Sequence, residues 1–458
     1  MGFRTQNPST GVIEREFDNA TDEQIEQALT TTEQAYRAWS ARPMSERGTI
    51  LQRVADLFDE RAEDLAAIAT REMGKPLREA VGEVKYVAQI FRYYATEGEE
   101  LSKDQELRNI DGTRCLIQRR PVGGLLGIMP WNFPYYQVAR FAAPNLMLGN
   151  TIILKHAEIC AASALAIAEL LHEAGVPEGV YQNVFATHEQ VSTIIAAPQI
   201  QGVSLTGSER AGAIVAEQAG RHLKKVVLEL GGSDPYIILS SDDVAKSAKT
   251  ALRTRLSNAG QACTSNKRMI VMEDIYDEFV ESLVAEAEVL TAGDPAASER
   301  GTYPPVSSES AVEGLLSQIA DAAQNGATIR VGGQREARDG YYVQPTVITD
   351  ITPAARAYQE ELFGPVAMVY KVSSEEEALT LANDSAYGLG GSVFSTDVEQ
   401  ATRLAEQLEV GMSHVNGYNT SGADLPFGGV KRSGYGRELG PLGMDEFVNK
   451  RLFTIRES

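Results

Sequence analysis

Gly202-Val203-Ser204-Leu205-Thr206-Gly207-Ser208-Glu209-Arg210-Ala211-Gly212 passes from a short apolar run through a glycine turn into residues at helical spacing. The helix expected over 209–220 leads at once to a second apolar run, Lys225-Val226-Val227-Leu228-Glu229-Leu230. Apolar strands alternating with helices make a parallel sheet covered on both faces, the nucleotide-binding type of α/β architecture.

The same alternation extends in both directions. Upstream lie Val122-Gly123-Gly124-Leu125-Leu126-Gly127-Ile128-Met129, the strand Thr151-Ile152-Ile153-Leu154, a helix over 160–174 and a strand over 179–186. Downstream, Tyr236-Ile237-Ile238-Leu239, a helix over 244–256, Met269-Ile270-Val271-Met272 and a helix over 275–291 begin a second unit. A helix over 311–325, a strand over 328–332 and a helix over 374–383 complete it, and 292–310 reads as a surface loop. The first hundred residues read as a helical layer. Thr21-Asp22-Glu23-Gln24 forms a capping box, followed by helices over 45–73 and 78–101. The stretch Arg114-Cys115-Leu116-Ile117-Gln118-Arg119-Arg120-Pro121 reads as a strand, as does the tail over 446–455. That terminal strand must pair with 115–121 or with another subunit.

Composition excludes several classes. The chain has 458 residues and a net charge of 42 − 63 = −21, which argues against nucleic acid or an anionic membrane as partner. No run is long and apolar enough for a membrane span, and the N-terminus lacks a signal-peptide core. The three cysteines, Cys115, Cys160 and Cys263, suggest neither a disulfide framework nor a metal site, so a cytoplasmic location is expected.

Five stretches carry chemistry. In Gly260-Gln261-Ala262-Cys263-Thr264-Ser265, the cysteine sits on a loop entering an apolar strand, where a thiolate can reach a ligand. In Met129-Pro130-Trp131-Asn132-Phe133-Pro134, two prolines bracket an amide that can stabilise an oxyanion, although from the residues alone a rigid turn with a buried tryptophan is the plainer reading. Glu229 ends an apolar strand, where burial suits a general base and capping of a neighbouring helix reads equally well. Gly207 and Gly212 permit close approach of a phosphate or simply tight helix packing. Lys155 and Glu158 lie just past a strand end, where α/β sheets bind ligands; a carboxylate there suits a ribose diol and repels a 2′-phosphate, although from the residues alone two solvated surface charges are the plainer reading.

Taken in order with Glu361-Leu362-Phe363-Gly364-Pro365 and Pro426-Phe427-Gly428-Gly429, these stretches resemble the aldehyde dehydrogenase superfamily over essentially the whole chain. Within it the wording is similar to that of compact bacterial succinate-semialdehyde dehydrogenases. The resemblance implies two doubly wound α/β domains plus a small β oligomerisation extension. Residues 1–102 and 122–231 would form the cofactor-binding domain and 232–440 the catalytic domain. Residues 103–121 and 441–458 would supply oligomerisation strands of a homodimer or homotetramer.

It also implies that Cys263 attacks an aldehyde, that Asn132 holds the oxyanion, and that Glu229 activates the water that hydrolyses the thioester. Trp131, Lys155, Glu158, Gly207, Ser208, Gly212, Leu230, Glu361 and Phe363 would hold the cofactor. Glu438 matches a position tied to proton relay. Arg140 and Ser421 would bind the far carboxylate of the substrate, and no metal is implied. NAD is the expected cofactor because of Glu158, with NADP the alternative. The expected reaction is oxidation of succinate semialdehyde to succinate. The alternatives are another small aliphatic aldehyde by the same mechanism, or acyl transfer to coenzyme A, against which Glu229 argues.

The sequence departs from relatives in three places. Ser257 stands where some carry a second substrate arginine, with Arg253 and Arg255 nearby. Ser265 replaces a second cysteine, so no disulfide protects Cys263. The stretch Thr302-Tyr303-Pro304-Pro305-Val306 differs from the usual wording.

Overall fold

The computed structural model describes residues 2–418 and 420–456; Met1, Asn419, Glu457 and Ser458, which fall within the expected segments, lie outside them. The expected alternation resolves into two large sheets. The first has six strands in the order Gly434–Tyr435, Lys225–Glu229, Ile200–Thr206, Gly124–Met129, Thr151–His156, Tyr181–Asn183. All its pairs are parallel except at the edge, where Gly434–Tyr435 runs antiparallel to Leu228 and Glu229. The four central strands are apolar and almost wholly buried, as a sheet covered on both faces requires.

The second sheet has seven strands, ordered Thr328–Val331, Thr346–Thr349, Val366–Val372, Arg268–Met272, Pro235–Ile238, Gly390–Phe394, Met412–Val415. Only its first pair is antiparallel. A third sheet joins the terminal strand Val448–Arg456 to Thr113–Pro121 over nine residue pairs, so the tail finds its partner within the chain. Its residues Leu452 and Phe453 remain 66% and 39% exposed.

Local signals explain most element ends. Thr21 accepts from the Gln24 N–H and Gln24 returns the bond, the expected capping box. The single helix expected over 45–73 is instead two, Met44–Glu60 and Ala62–Met73, because Arg61 leaves helical geometry (φ −109°, ψ 19°). Apolar spacing continues through the break, which hides it. The expected surface loop over 292–310 is also corrected. Its segment 303–307 is buried, with Pro305 against Gly74 and Val306 donating its N–H to the Tyr341 carbonyl. Among the described residues no helix is long and apolar enough to cross a membrane.

Candidate active site

What the first sheet contributes lies at the carboxyl ends of its strands. Asn132 follows Gly124–Met129, Lys155 closes Thr151–His156, Gly207 follows Ile200–Thr206, and Glu229 ends Lys225–Glu229. What the second sheet contributes lies just before its strands. Asp234 precedes Pro235–Ile238, Cys263 precedes Arg268–Met272, and Glu361 and Phe363 precede Val366–Val372. Residues up to 231 positions apart therefore meet in one cleft between the sheets, at the carboxyl ends of the first sheet's strands, where ligands bind in open α/β sheets.

The Cys263 loop is held by buried donors. Asn258 and Ala259 adopt left-handed backbone (φ 50° and 55°), and Asn258 fixes the turn by donating Nδ2 to the Asn132 and Gln261 carbonyls at 2.9 and 3.3 Å. The fully buried Arg255 donates to the carbonyls of Val366, Gly260 and Leu362 and to the Ser265 hydroxyl. It is thus committed to the backbone, and Arg253 is exposed, so neither replaces the arginine missing at Ser257. Lys267, also buried, reaches the carbonyls of Ala262 and Cys263 at 2.8 Å and the Glu361 carboxylate at 2.9 Å. The divergent loop has a structural role here, since the Ser307 N–H donates to Gln261 Oε1 at 2.9 Å.

The Asn132 loop is braced just as fully. His156 hydrogen-bonds the Pro134 carbonyl through Nε2 at 2.9 Å, while its Nδ1 accepts from the Ala157 N–H. Burial lowers that imidazole to about 4, which keeps it neutral in this tautomer. Glu83 accepts from the N–H groups of Tyr135 and Tyr136, at the start of helix Tyr136–Leu148. Asn132 itself donates Nδ2 to the Gln261 carbonyl at 3.1 Å, which ties the amide directly to the cysteine loop.

Charge in the cleft is set by burial. The half-buried Cys263 thiol is pushed up to about 11 by desolvation; Arg140 and Lys267 oppose the rise, and Glu361 and Asp234 add to it. Glu229 is 2% exposed, and neither of its carboxylate oxygens has a hydrogen-bond partner among the described residues. Desolvation and the nearby Glu438 raise it well above the carboxylate range, against the pull of Arg140. Gly428 provides its seat, because a Cβ there would come 2.7 Å from Glu229 Oε1.

A cavity of about 350 Å³ is lined by Cys263, Arg140, Tyr86, Tyr136, Phe427 and Ser421, among others. Arg140, at 0% exposure, is the only guanidinium among the described residues lining it. Its Nε pairs with Glu438 Oε2 at 2.6 Å, and its guanidinium lies over Phe427. The structure thus places Arg140 and Ser421 with Cys263, and gives Arg140 a carboxylate partner within the protein.

A dinucleotide fits the remaining groups. Gly231 approaches Glu361 so closely that a Cβ would meet Oε2 at 2.5 Å, while Glu361 Oε1 accepts from the Gly232 N–H. Trp131 and Phe363 stand edge to face, 5.7 Å apart. Ser208 caps helix Glu209–Arg221, and Gly212 lets that helix close on Leu230, where a Cβ would meet Leu230 at 2.7 Å. Lys155 pairs with Glu158 at 2.5 Å.

Sequence reading misses Lys267, Glu83 and Tyr86. Each stands on an element whose neighbours in sequence are ordinary, and only the partner across space reveals it.

Comparison with known proteins identifies the family and its fold. Residues 1–452 match the aldehyde dehydrogenase family. The chain is 52% identical to a succinate-semialdehyde dehydrogenase (NADP+) of Deinococcus radiodurans, covering 98% of this chain and 94% of that one. It is 40% identical to a succinate-semialdehyde dehydrogenase (NADP+) of Mycobacterium avium, covering 100% and 98%. Among solved structures, a succinic semialdehyde dehydrogenase of Streptococcus pyogenes in complex with NADP+ superposes with TM-score 0.96 at 43% identity, covering 99% and 100%. A betaine aldehyde dehydrogenase of Staphylococcus aureus in complex with NAD+ superposes with TM-score 0.95 at 31% identity, covering 99% and 94%.

Proposed function

The chain belongs to the aldehyde dehydrogenase family, and we propose that it oxidises succinate semialdehyde to succinate with NADP+ as the preferred cofactor. The observation that carries this reading is the shared lining of one cavity. Cys263 offers a nucleophile, and Arg140 retains an Nη1 with no hydrogen-bond partner among the described residues. An aldehyde with a carboxylate at its far end satisfies both. A second reading follows from the Arg140–Glu438 pair. If that guanidinium is purely structural, the substrate is an uncharged small aldehyde.

In the proposed mechanism Cys263 releases its thiol proton to solvent in the cleft, and the thiolate adds to the aldehyde carbon. The Asn132 amide and the Cys263 backbone N–H receive the charge that develops on oxygen. A nicotinamide held in the cleft would supply the hydride acceptor needed to take the adduct to the thioester. Glu229 then takes a proton from water, whose attack on the thioester breaks the carbon–sulfur bond, frees the acid and returns Cys263 as its thiolate. Glu438, whose charge raises Glu229 while Arg140 lowers both, would offer that proton a way out.

Lys155 and Glu158 would hold the adenosine ribose, and Gly207, Ser208 and Gly212 the pyrophosphate. Trp131, Leu230, Phe363 and Glu361 would enclose the nicotinamide end. The expectation of NAD rests on repulsion by Glu158, but Lys155 neutralises that carboxylate. This pairing and the relatives' names favour NADP. Residues 1–102 and 122–231 would act as the cofactor-binding domain and 232–440 as the catalytic domain, with Gly434–Tyr435 crossing to the first sheet. The exposed face of Val448–Arg456 suits a homo-oligomer assembled through 103–121 and 441–458. Three unpaired cysteines agree with a cytoplasmic setting.

The test is turnover of purified protein on a panel of aldehydes, with each cofactor in turn, following the reduced cofactor by absorbance. Preferential turnover of succinate semialdehyde with NADP+ supports the reading. Preference for uncharged aldehydes supports the second.

A further inference from the structure

We propose that the Tyr86 hydroxyl is a further donor to the substrate's far carboxylate, acting beside Nη1 of Arg140 and Ser421. This rests on the reading of the substrate as succinate semialdehyde. A carboxylate has two oxygens, and in this chain Ser257 cannot supply a second donor, because its hydroxyl is given to Glu79 at 3.0 Å.

The geometry points to Tyr86 for three reasons. Its hydroxyl oxygen is buried and has no hydrogen-bond partner among the described residues, as is true of Arg140 Nη1. Buried polar groups are seldom left unpaired, and two of them on one cavity wall call for a polar ligand. Both residues line the cavity that holds Cys263, one from helix Leu77–Leu101 and the other from helix Tyr136–Leu148. Tyr136 bridges them. Its ring lies 5.4 Å from that of Tyr86 and 4.8 Å from the Arg140 guanidinium carbon.

Chemistry agrees with the placement. Burial raises the Tyr86 hydroxyl to about 12, with Arg140 opposing the rise, so it stays a protonated donor at neutral pH. The two carboxylates on the same wall are already occupied. Glu83 holds Lys75 and the N–H groups of Tyr135 and Tyr136, and Glu79 holds Ser257 and the Asn258 N–H. An incoming carboxylate therefore finds its free donors at Tyr86 and Arg140.

Tyr86→Phe removes only the hydroxyl and leaves the ring packing in place. The readout is the ratio of kcat/KM for succinate semialdehyde to that for butanal, which lacks the carboxylate. We expect this ratio to fall about tenfold in Tyr86→Phe, mostly through KM for the acidic substrate. Arg140→Lys, measured alongside, should lower it as well. A ratio that is unchanged or higher in Tyr86→Phe while falling in Arg140→Lys overturns the role of Tyr86 and leaves the substrate reading intact. A wild-type enzyme with no preference for succinate semialdehyde over butanal overturns the substrate reading itself, and this proposal with it. A melting temperature within error of wild type shows that the hydroxyl is not needed for folding.

Discussion

Arg140 Nε lies 2.6 Å from Glu438 Oε2, and both side chains are buried, at 0% and 5% exposure. The pair sits between two functions. Arg140 lines the cavity of Cys263, and Glu438 raises Glu229, whose carboxylate Arg140 pulls the other way. Glu438 also takes the Ser204 hydroxyl at 3.2 Å, which anchors it to the first sheet.

Breaking this pair should have two separable effects. Removing one partner of a buried ion pair leaves an uncompensated charge, at a cost of about 3–5 kcal/mol. Glu438→Gln should therefore lower the melting temperature clearly. Arg140→Met should in addition move the pH dependence of turnover upward, because Arg140 favours the ionised form of Glu229. A pH profile identical to that of wild type would show that Arg140 does not act on Glu229.

Glu229→Gln should separate the two halves of the reaction. One equivalent of reduced cofactor should appear rapidly, and steady turnover should then be nearly lost, because the thioester is not hydrolysed. Rapid-mixing absorbance measures both phases. The same variant tests a stability effect. The folded state keeps a proton on Glu229 that the unfolded chain releases near pH 4.5. This group's contribution is therefore full below pH 4.5 and is lost as pH rises through the raised folded value. Wild type should lose stability relative to Glu229→Gln across that window. Parallel stability curves would contradict the raised pKa of Glu229.

The Cys263 thiol, held near 11 by burial, should react slowly with iodoacetamide at neutral pH and faster as the solution becomes alkaline. Lys267→Gln removes a cation that opposes this rise, so its alkylation profile should shift to still higher pH, and Lys267→Arg should restore it. Identical profiles in the three proteins would mean that Lys267 only braces the backbone.

Cofactor choice should turn on Glu158. Glu158→Gln removes the negative charge and frees Lys155, so kcat/KM for NADP+ relative to NAD+ should rise on the order of tenfold, equivalent to about 1.4 kcal/mol. A ratio that stays constant would place the 2′-phosphate away from this pair.

Much of the site is legible in the residues alone. Cys263, Asn132 and Glu229 each sit at a strand end or turn, so residue type and position mark them as candidates, and the resemblance to the family supplies their proposed roles. The split at Arg61 escapes because apolar spacing continues across it. The buried 303–307 segment escapes because Gly, Pro and Ser read as surface until a neighbour covers them. Lys267 escapes because a lysine beside an arginine looks solvated, and only the fold supplies the three oxygens that hold it.

By itself the sequence determined the alternating α/β pattern, the family and the residue types available for chemistry. Periodicity, turn residues and strand ends are properties of neighbours along the chain. Tertiary structure alone decided how those residues are used. It gave Arg140 a partner in Glu438, committed Arg255 to backbone carbonyls, and left Tyr86 with an unpaired hydroxyl on the cavity wall. Those outcomes depend on desolvation and on partners at large sequence separation. Neither exists until the two sheets close around the cleft.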